Sequence, residues 1–165
     1  MIYATLGTMF LDFARLVRAM DAIAEATNEH VIVQTGLCRV TPVRCEYFDF
    51  KPRDEAQRIQ RDARVIVCHA GIGSVMDALE ARRPFVVVPR LKRFGEHLND
   101  HQLDLAEAVQ RRGWGRMVLD IGDLAAACAN PLPAPADYLP AREPLLAAVR
   151  RTVDRLAQKK AGRCE

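Results

Sequence analysis

The chain has 165 residues, 50% of them hydrophobic and 27% charged, which suits one domain with its own core and excludes a disordered or fibrous protein. Its net charge of +3, with one Trp and three Tyr, gives no basis for nucleic-acid binding. No apolar run approaches the ~20 residues that span a bilayer, Met1–Thr5 has no basic secretory region, and the five cysteines form no C-x-x-C pair, so a cytoplasmic protein with reduced thiols is expected.

Ile2-Tyr3-Ala4-Thr5-Leu6 is β-prone and is broken by Gly7-Thr8. Over residues 10–27, Phe10, Phe13, Leu16, Val17, Met20, Ile23 and Ala24 recur at intervals of three and four, the apolar face of a helix. His30–Gln34 is a second strand closed by Gly36, residues 44–47 a weaker third, and 54–62 a polar surface helix. Arg64–Cys68 and Phe85–Val88 are continuous apolar runs, the pattern of strands covered on both faces. Between them lie a turn from His69 to Ser74 and a helix over 74–82. A polar loop at 90–96 precedes an amphipathic helix over 97–112, a short strand at 117–119 and a short helix over 122–129. Residues 130–144 hold five of the nine prolines and read as a surface loop before a terminal helix over 145–160. Strand and helix alternate throughout. The expected fold is therefore a single α/β domain over 1–165, a Rossmann-like parallel sheet with helices on both faces. Such sheets bind ligands at the carboxyl ends of their strands, which directs attention to loops 7–10, 34–38, 69–74 and 89–101.

The turn His69-Ala70-Gly71-Ile72-Gly73-Ser74 between a buried strand and a helix suits a phosphate. Glycines allow close backbone approach, and a helix amino end offers free N–H donors and partial positive charge. The same residues also suit a plain strand–helix turn with Ser74 as N-cap. A P-loop would need Lys before Ser/Thr, and a dinucleotide fingerprint would need glycine where Met76 stands. Arg90, at the end of the following strand, would suit a 2′-phosphate, which keeps a small NADP-dependent reductase open as an alternative. Asp77, one turn beyond Gly73, is placed either to accept ribose hydroxyls or to complement the helix dipole. His97 and His101 stand four apart, but Leu98 follows where a zinc-protease pattern needs Glu, so no metal is expected. Cys68-His69 adjacency does not make a nucleophile pair, because neighbours on a strand point to opposite faces.

His69 to Leu79, followed by Pro84 and Val86-Val87-Val88-Pro89-Arg90, resembles the donor-binding C-terminal domain of family 28 glycosyltransferases. The stretch Leu91-Lys92-Arg93-Phe94-Gly95-Glu96-His97-Leu98-Asn99-Asp100-His101-Gln102, with Thr5-Leu6-Gly7-Thr8 and Gln34-Thr35-Gly36, is similar to the PssE-like half-enzymes of that family. The resemblance runs over about residues 2–110. It implies the donor half of a GT-B fold. Gly7, Thr8 and the turn with His69, Gly71, Gly73 and Ser74 would hold a diphosphate, Asp77 would take the place of the family's usual Glu at the ribose, and His101 and Gln102 would touch the donor sugar. One of Arg90, Lys92 and Arg93 would pair with a uronate carboxylate, or the three make a solvated basic loop, which leaves N-acetylglucosamine or glucose open as the donor sugar. Asp77 is one methylene shorter than Glu, Arg82-Arg83 replaces the usual Gly-Lys, and Met9-Phe10-Leu11-Asp12 departs from the usual Pro-Phe-Asp.

The resemblance further implies an inverting enzyme of polysaccharide synthesis that uses a UDP-sugar, glucuronate favoured, as substrate and requires no cofactor. A GT-B reaction occurs between two domains and this chain has room for one. A membrane-anchored, PssD-like partner would hold the lipid-diphosphate-linked acceptor and supply the base, with the pair at the inner face of the membrane. A non-catalytic nucleotide-binding regulator is the alternative from another class. Residues 146–165, with six basic and two acidic side chains among apolar ones, would touch anionic lipid or that partner, or pack as an ordinary terminal helix.

Overall fold

The computed structural model describes residues 1–136 and Tyr138; the expected helix over 145–160 lies outside the described residues. Six strands form one sheet: β1 (Ile2–Thr5), β2 (Val31–Gln34), β3 (Glu46–Phe48), β4 (Val65–Cys68), β5 (Phe85–Val87) and β6 (Arg116–Met117). Every pairing is parallel and the order is β3-β2-β1-β4-β5-β6. The helices are α1 (Ala14–Thr27), α2 (Arg53–Asp62), α3 (Ile72–Ala81), α4 (Gln102–Arg111) and α5 (Leu124–Ala129).

The central strands are apolar at successive positions because each face of the sheet is covered. Ile2, Ala4, Val31, Val33, Val65, Val67 and Val86 pack with Leu16, Val17, Met20 and Ile23 of α1 and Leu124 and Ala127 of α5. Tyr3, Ile32, Ile66, Cys68, Phe85 and Val87 face the other way, onto Val75, Ala78 and Leu79 of α3 and Ala106 and Val109 of α4. Each such large apolar side chain contributes about 1.5–3 kcal/mol by leaving water.

Two helices start later than the sequence pattern predicts. α1 begins at Ala14, and Phe10, expected on its apolar face, is 63% exposed. The carbonyls of Leu11 and Asp12 accept hydrogen bonds from the Arg90 guanidinium, and the first turn instead closes from Leu16 N–H to Phe13 O. α4 begins at Gln102 instead of 97. The Asp100 side chain accepts the Lys92 N–H at 2.8 Å, the Asn99 N–H donates to His97 Nδ1, and Leu98 stays in solvent. These local side-chain bonds compete with helix formation. His97 and His101 therefore do not share a helix face. The expected strand at 117–119 is Arg116–Met117, and the expected helix over 122–129 is a 3-10 turn at Ile121–Asp123 leading into α5.

Candidate functional site

The chain leaves β1 for β2 on one side of the sheet and returns through β4, β5 and β6 on the other, so the loops after β1 and β4 diverge. That divergence is where open α/β sheets form their binding crevice. Here it is a cleft of about 280 Å³ lined by Thr5, Gly7, Thr8, Gln34, Gln60, His69, Gly73, Ser74 and Asp77. The structure thus brings together six of the ten residues singled out from the sequence.

One wall is the amino end of α3. Gly71 is its N-cap and accepts the Val75 N–H at 3.0 Å. Ser74 is therefore the third helical residue, not the N-cap that the turn reading allowed. The N–H groups of Ile72, Gly73 and Ser74 have no acceptor among the described residues, as at a free helix start. Beyond its own helix backbone and chain neighbours, no described residue stands within 4 Å of the place a Gly73 side chain would take. Free N–H donors, the helix dipole and the Thr8 and Ser74 hydroxyls suit an anion.

The opposite wall is the loop after β1, where Gly7 takes φ +76°. The His69 ring lies between the two loops. A Cβ at Gly7 would stand 2.7 Å from its Nε2, and one at Gly71 would stand 2.9 Å from its Cδ2. Its Nδ1 is buried without a partner among the described residues. Burial first, then the nearby positive charges of Arg90 and His97, push the His69 pKa down to about 4, so the ring is neutral at pH 7.

The floor is polar. Tyr3 and Thr5 hydroxyls both donate to Gln34 Oε1 at 3.0 Å, and the Gly7 N–H donates to Thr5 Oγ1 at 3.3 Å. Burial pushes the Tyr3 phenol up to about 12. Gln60 of α2 is 5% exposed and its Oε1 has no partner among the described residues. At the far end Asp77 Oδ1 accepts from Arg53 Nη2 at 3.0 Å, with Glu80 also within 3.7 Å of that guanidinium. The sequence alone gave no role to Thr5, Gln34, Gln60 or Arg53. For Thr5 and Gln34 the available signal was that each ends an apolar strand run; the structure sets them side by side, in register, at the ligand edge.

Three other residues stand apart from the cleft. Arg90 is 1% exposed, and its guanidinium donates to the carbonyls of Leu6, Leu11, Asp12 and Glu96. It is unavailable to a uronate or a 2′-phosphate, which corrects the direct binding role expected for it. Gln102 is buried, with Oε1 accepting the Arg90 N–H at 3.0 Å. His101 is exposed before α4, bonded to the Asn99 side chain, its ring edge-on to His97 at 4.5 Å. Cys68 is fully buried, and its thiol is pushed up to about 12 by burial, in keeping with core packing. Among the described residues no helix is long and apolar enough to cross a membrane.

Comparison with known proteins places the fold and the family. UDP-N-acetylglucosamine transferase subunit ALG13 of Homo sapiens is 30% identical over 121 residues, 68% of this chain and 10% of that protein. The Mus musculus protein of the same name is 29% identical over 120 residues, 67% of this chain and again 10% of the relative. The chain thus spans about a tenth of the length of the curated relatives it matches. Among solved structures, the calicheamicin glycosyltransferase CalG4 superposes with a TM-score of 0.60 at 21% identity, over 79% of this chain and 34% of that one. A solution structure of ALG13 gives 0.57 at 18%, over 88% and 93%, and MurG of Acinetobacter baumannii gives 0.53 at 17%, over 77% and 40%. These likenesses share the fold. The profile of the glycosyltransferase family 28 C-terminal domain matches residues 1–154, and the chain belongs to that family.

Proposed function

We propose that the chain is the donor-binding subunit of a two-component glycosyltransferase, with a UDP-sugar as substrate. The observation that carries this reading is the cleft itself. Unpaired N–H groups at the start of α3 and the Thr8 and Ser74 hydroxyls meet a carboxylate, Asp77, one turn further along the helix. The first set suits a diphosphate and the second suits ribose hydroxyls. Donors fixed in advance at a departing diphosphate lower the barrier to its departure, because charge develops there. That chemistry asks this chain for no metal or other cofactor. Deprotonation of the acceptor hydroxyl needs a base, which we assign to a second, membrane-anchored, PssD-like subunit that holds a lipid-diphosphate-linked acceptor at the inner face of the membrane. The product would be an inverted glycosidic bond in polysaccharide synthesis.

The donor sugar has two candidates. Lys92 and Arg93, both exposed after β5, support glucuronate, although Arg90 is spent elsewhere. The name of the curated relatives, a UDP-N-acetylglucosamine transferase subunit, supports N-acetylglucosamine. Calorimetric titration of the purified chain with UDP, UDP-glucuronate, UDP-N-acetylglucosamine and NADPH tests the reading. UDP binding is expected, and the tighter of the two sugars names the donor. NADPH binding without UDP binding would overturn it in favour of a reductase. UDP binding without sugar transfer by the chain co-expressed with its partner subunit would make the chain a regulator.

A further inference from the structure

We propose that Arg90 is a positioning residue: from beneath, its guanidinium sets the shape of the loop that presents Gly7 and Thr8 to the donor diphosphate. This rests on the donor-site reading for the ligand and on the structure alone for the clamp.

Burying a guanidinium is costly unless its hydrogen bonds are met; here Nη1 and Nη2 are met by backbone carbonyls, while Nε is buried with no partner among the described residues. Nη2 donates to Leu6 O at 2.9 Å; Nη1 donates to Leu11 O at 2.7 Å, Asp12 O at 3.3 Å and Glu96 O at 3.2 Å. The face of Phe13 lies 4.6 Å beneath the cation. The carboxylate that most favours its charge is Glu96, which Arg15 holds with Nε and Nη2 at 2.9 Å each and which also accepts the Leu91 N–H.

Leu6 O and the Gly7 N–H belong to one peptide unit. Arg90 holds its oxygen and Thr5 Oγ1 accepts its hydrogen, so the plane entering Gly7 is fixed from both sides. The bonds to Leu11 and Asp12 fix the far end of the same loop. Residues 8–12 make no backbone–backbone hydrogen bond with any described residue. One planar fork therefore holds both ends of this loop, whose other tie is Asp12 Oδ1 accepting the Arg39 N–H at 2.7 Å, and the same fork grips the loop after β5 through Glu96. Lysine has the charge but a single donor head, and reaches at most part of this set.

The test uses the full-length chain and Arg90→Lys, with UDP and UMP as probes. The UDP affinity of Arg90→Lys is expected to fall about tenfold and the UMP affinity by less, so that the UDP/UMP preference shrinks. Val86→Ala, a core variant of the same sheet, lowers stability and is expected to leave that preference at the wild-type value. Without ligand, hydrogen exchange of amides 7–12 and 91–96 should quicken in Arg90→Lys while that of 65–68 does not. Glu96→Gln, which removes the facing charge, should act in the same direction if Arg90→Lys does not fold. A wild-type UDP/UMP preference in a folded Arg90 variant would overturn the proposal. If the wild-type chain binds no UDP, the donor reading fails by itself, and unchanged exchange of 7–12 in the variants would then overturn the clamp.

Discussion

The His69 ring fills the space beside Gly7 that any other residue would need for its side chain: a Cβ there would stand 2.7 Å from Nε2, while Gly71 presses on the same ring from the other loop. The two loops of the cleft are thus packed through one imidazole, and each glycine is required for a separable reason. Gly7 carries both the ring contact and a left-handed φ of +76°, whereas Gly71 has φ −88°, open to any residue, and carries the contact alone. Gly7→Ala is expected to cost about 1–3 kcal/mol. Gly71→Ala should also destabilise, but in a His69→Ala background its cost should nearly vanish, while Gly7→Ala still loses about 1 kcal/mol to its backbone. Urea unfolding of this double-mutant cycle is the measurement, and strict additivity between Gly71 and His69 would refute the packing.

His69 also makes stability depend on pH. Its pKa is about 4 in the folded chain against an ordinary 6.5, so between these values the unfolded chain binds the extra proton. Stability is then complete above pH 6.5, falls as pH drops towards 4, and levels below that. The full effect is about 3 kcal/mol, as an order of magnitude. Asp21 and Glu29, whose carboxyls are held below the ordinary range, lose their contribution only as pH falls below that range. His97, half-buried and also shifted down, adds a smaller share in the upper window. His69→Asn should flatten most of the pH 4–6.5 slope in urea midpoints; an unchanged slope would mean the ring is hydrated.

Asp77 is a third exposed at its side chain and pairs with a well-exposed Arg53, so its ion pair is worth about 0–1 kcal/mol. Asp77→Ala should therefore leave thermal unfolding within a few degrees of wild type. Removal of a charged acceptor from ribose hydroxyls should cost UDP about tenfold or more in affinity. Asp77→Glu, with the longer reach that the family usually has, should keep binding. Titration calorimetry reads both, and a wild-type Kd in Asp77→Ala would place the ribose elsewhere.

The parts of this fold legible in sequence were those with a repeating physical pattern. The buried strands announced themselves as unbroken apolar runs, and α3 followed its glycines. Gly7, Thr8, His69, Gly73, Ser74 and Asp77 lie in short segments next to those strands, and all line the cleft. The misplaced residues answer to remote backbone. Phe10 had the right spacing for α1, but the carbonyls that would close that turn bond Arg90, 78 or 79 residues away. An arginine at a strand end reads as a surface cation; its burial here depends on four carbonyls from three segments, which no local pattern displays. Gln60 was hidden in the polar helix α2, and only the packing of α2 beside α3 turns it inward.

The thiols give a residue-by-residue test of the same packing. Cys45, Cys68 and Cys128 are buried, and burial pushes each thiol up to about 12, with the Asp21 carboxylate adding to the effect at Cys45. Thiolate is the reactive form, so at pH 8 the folded chain has very little of it at these three positions and offers no access to the sulfur. Iodoacetamide should therefore leave all three unlabelled in native buffer and label all three in urea, as read by peptide mass spectrometry. Under partially denaturing conditions labelling should follow local opening. Cys45 lies in the loop ahead of edge strand β3 and should react first, whereas Cys68, at the end of a central strand with no exposed surface, should react only on global unfolding. Rapid native labelling of Cys68 would show that the wall between β4 and α3 opens on its own, and the cleft beside it would then form only when its ligand binds.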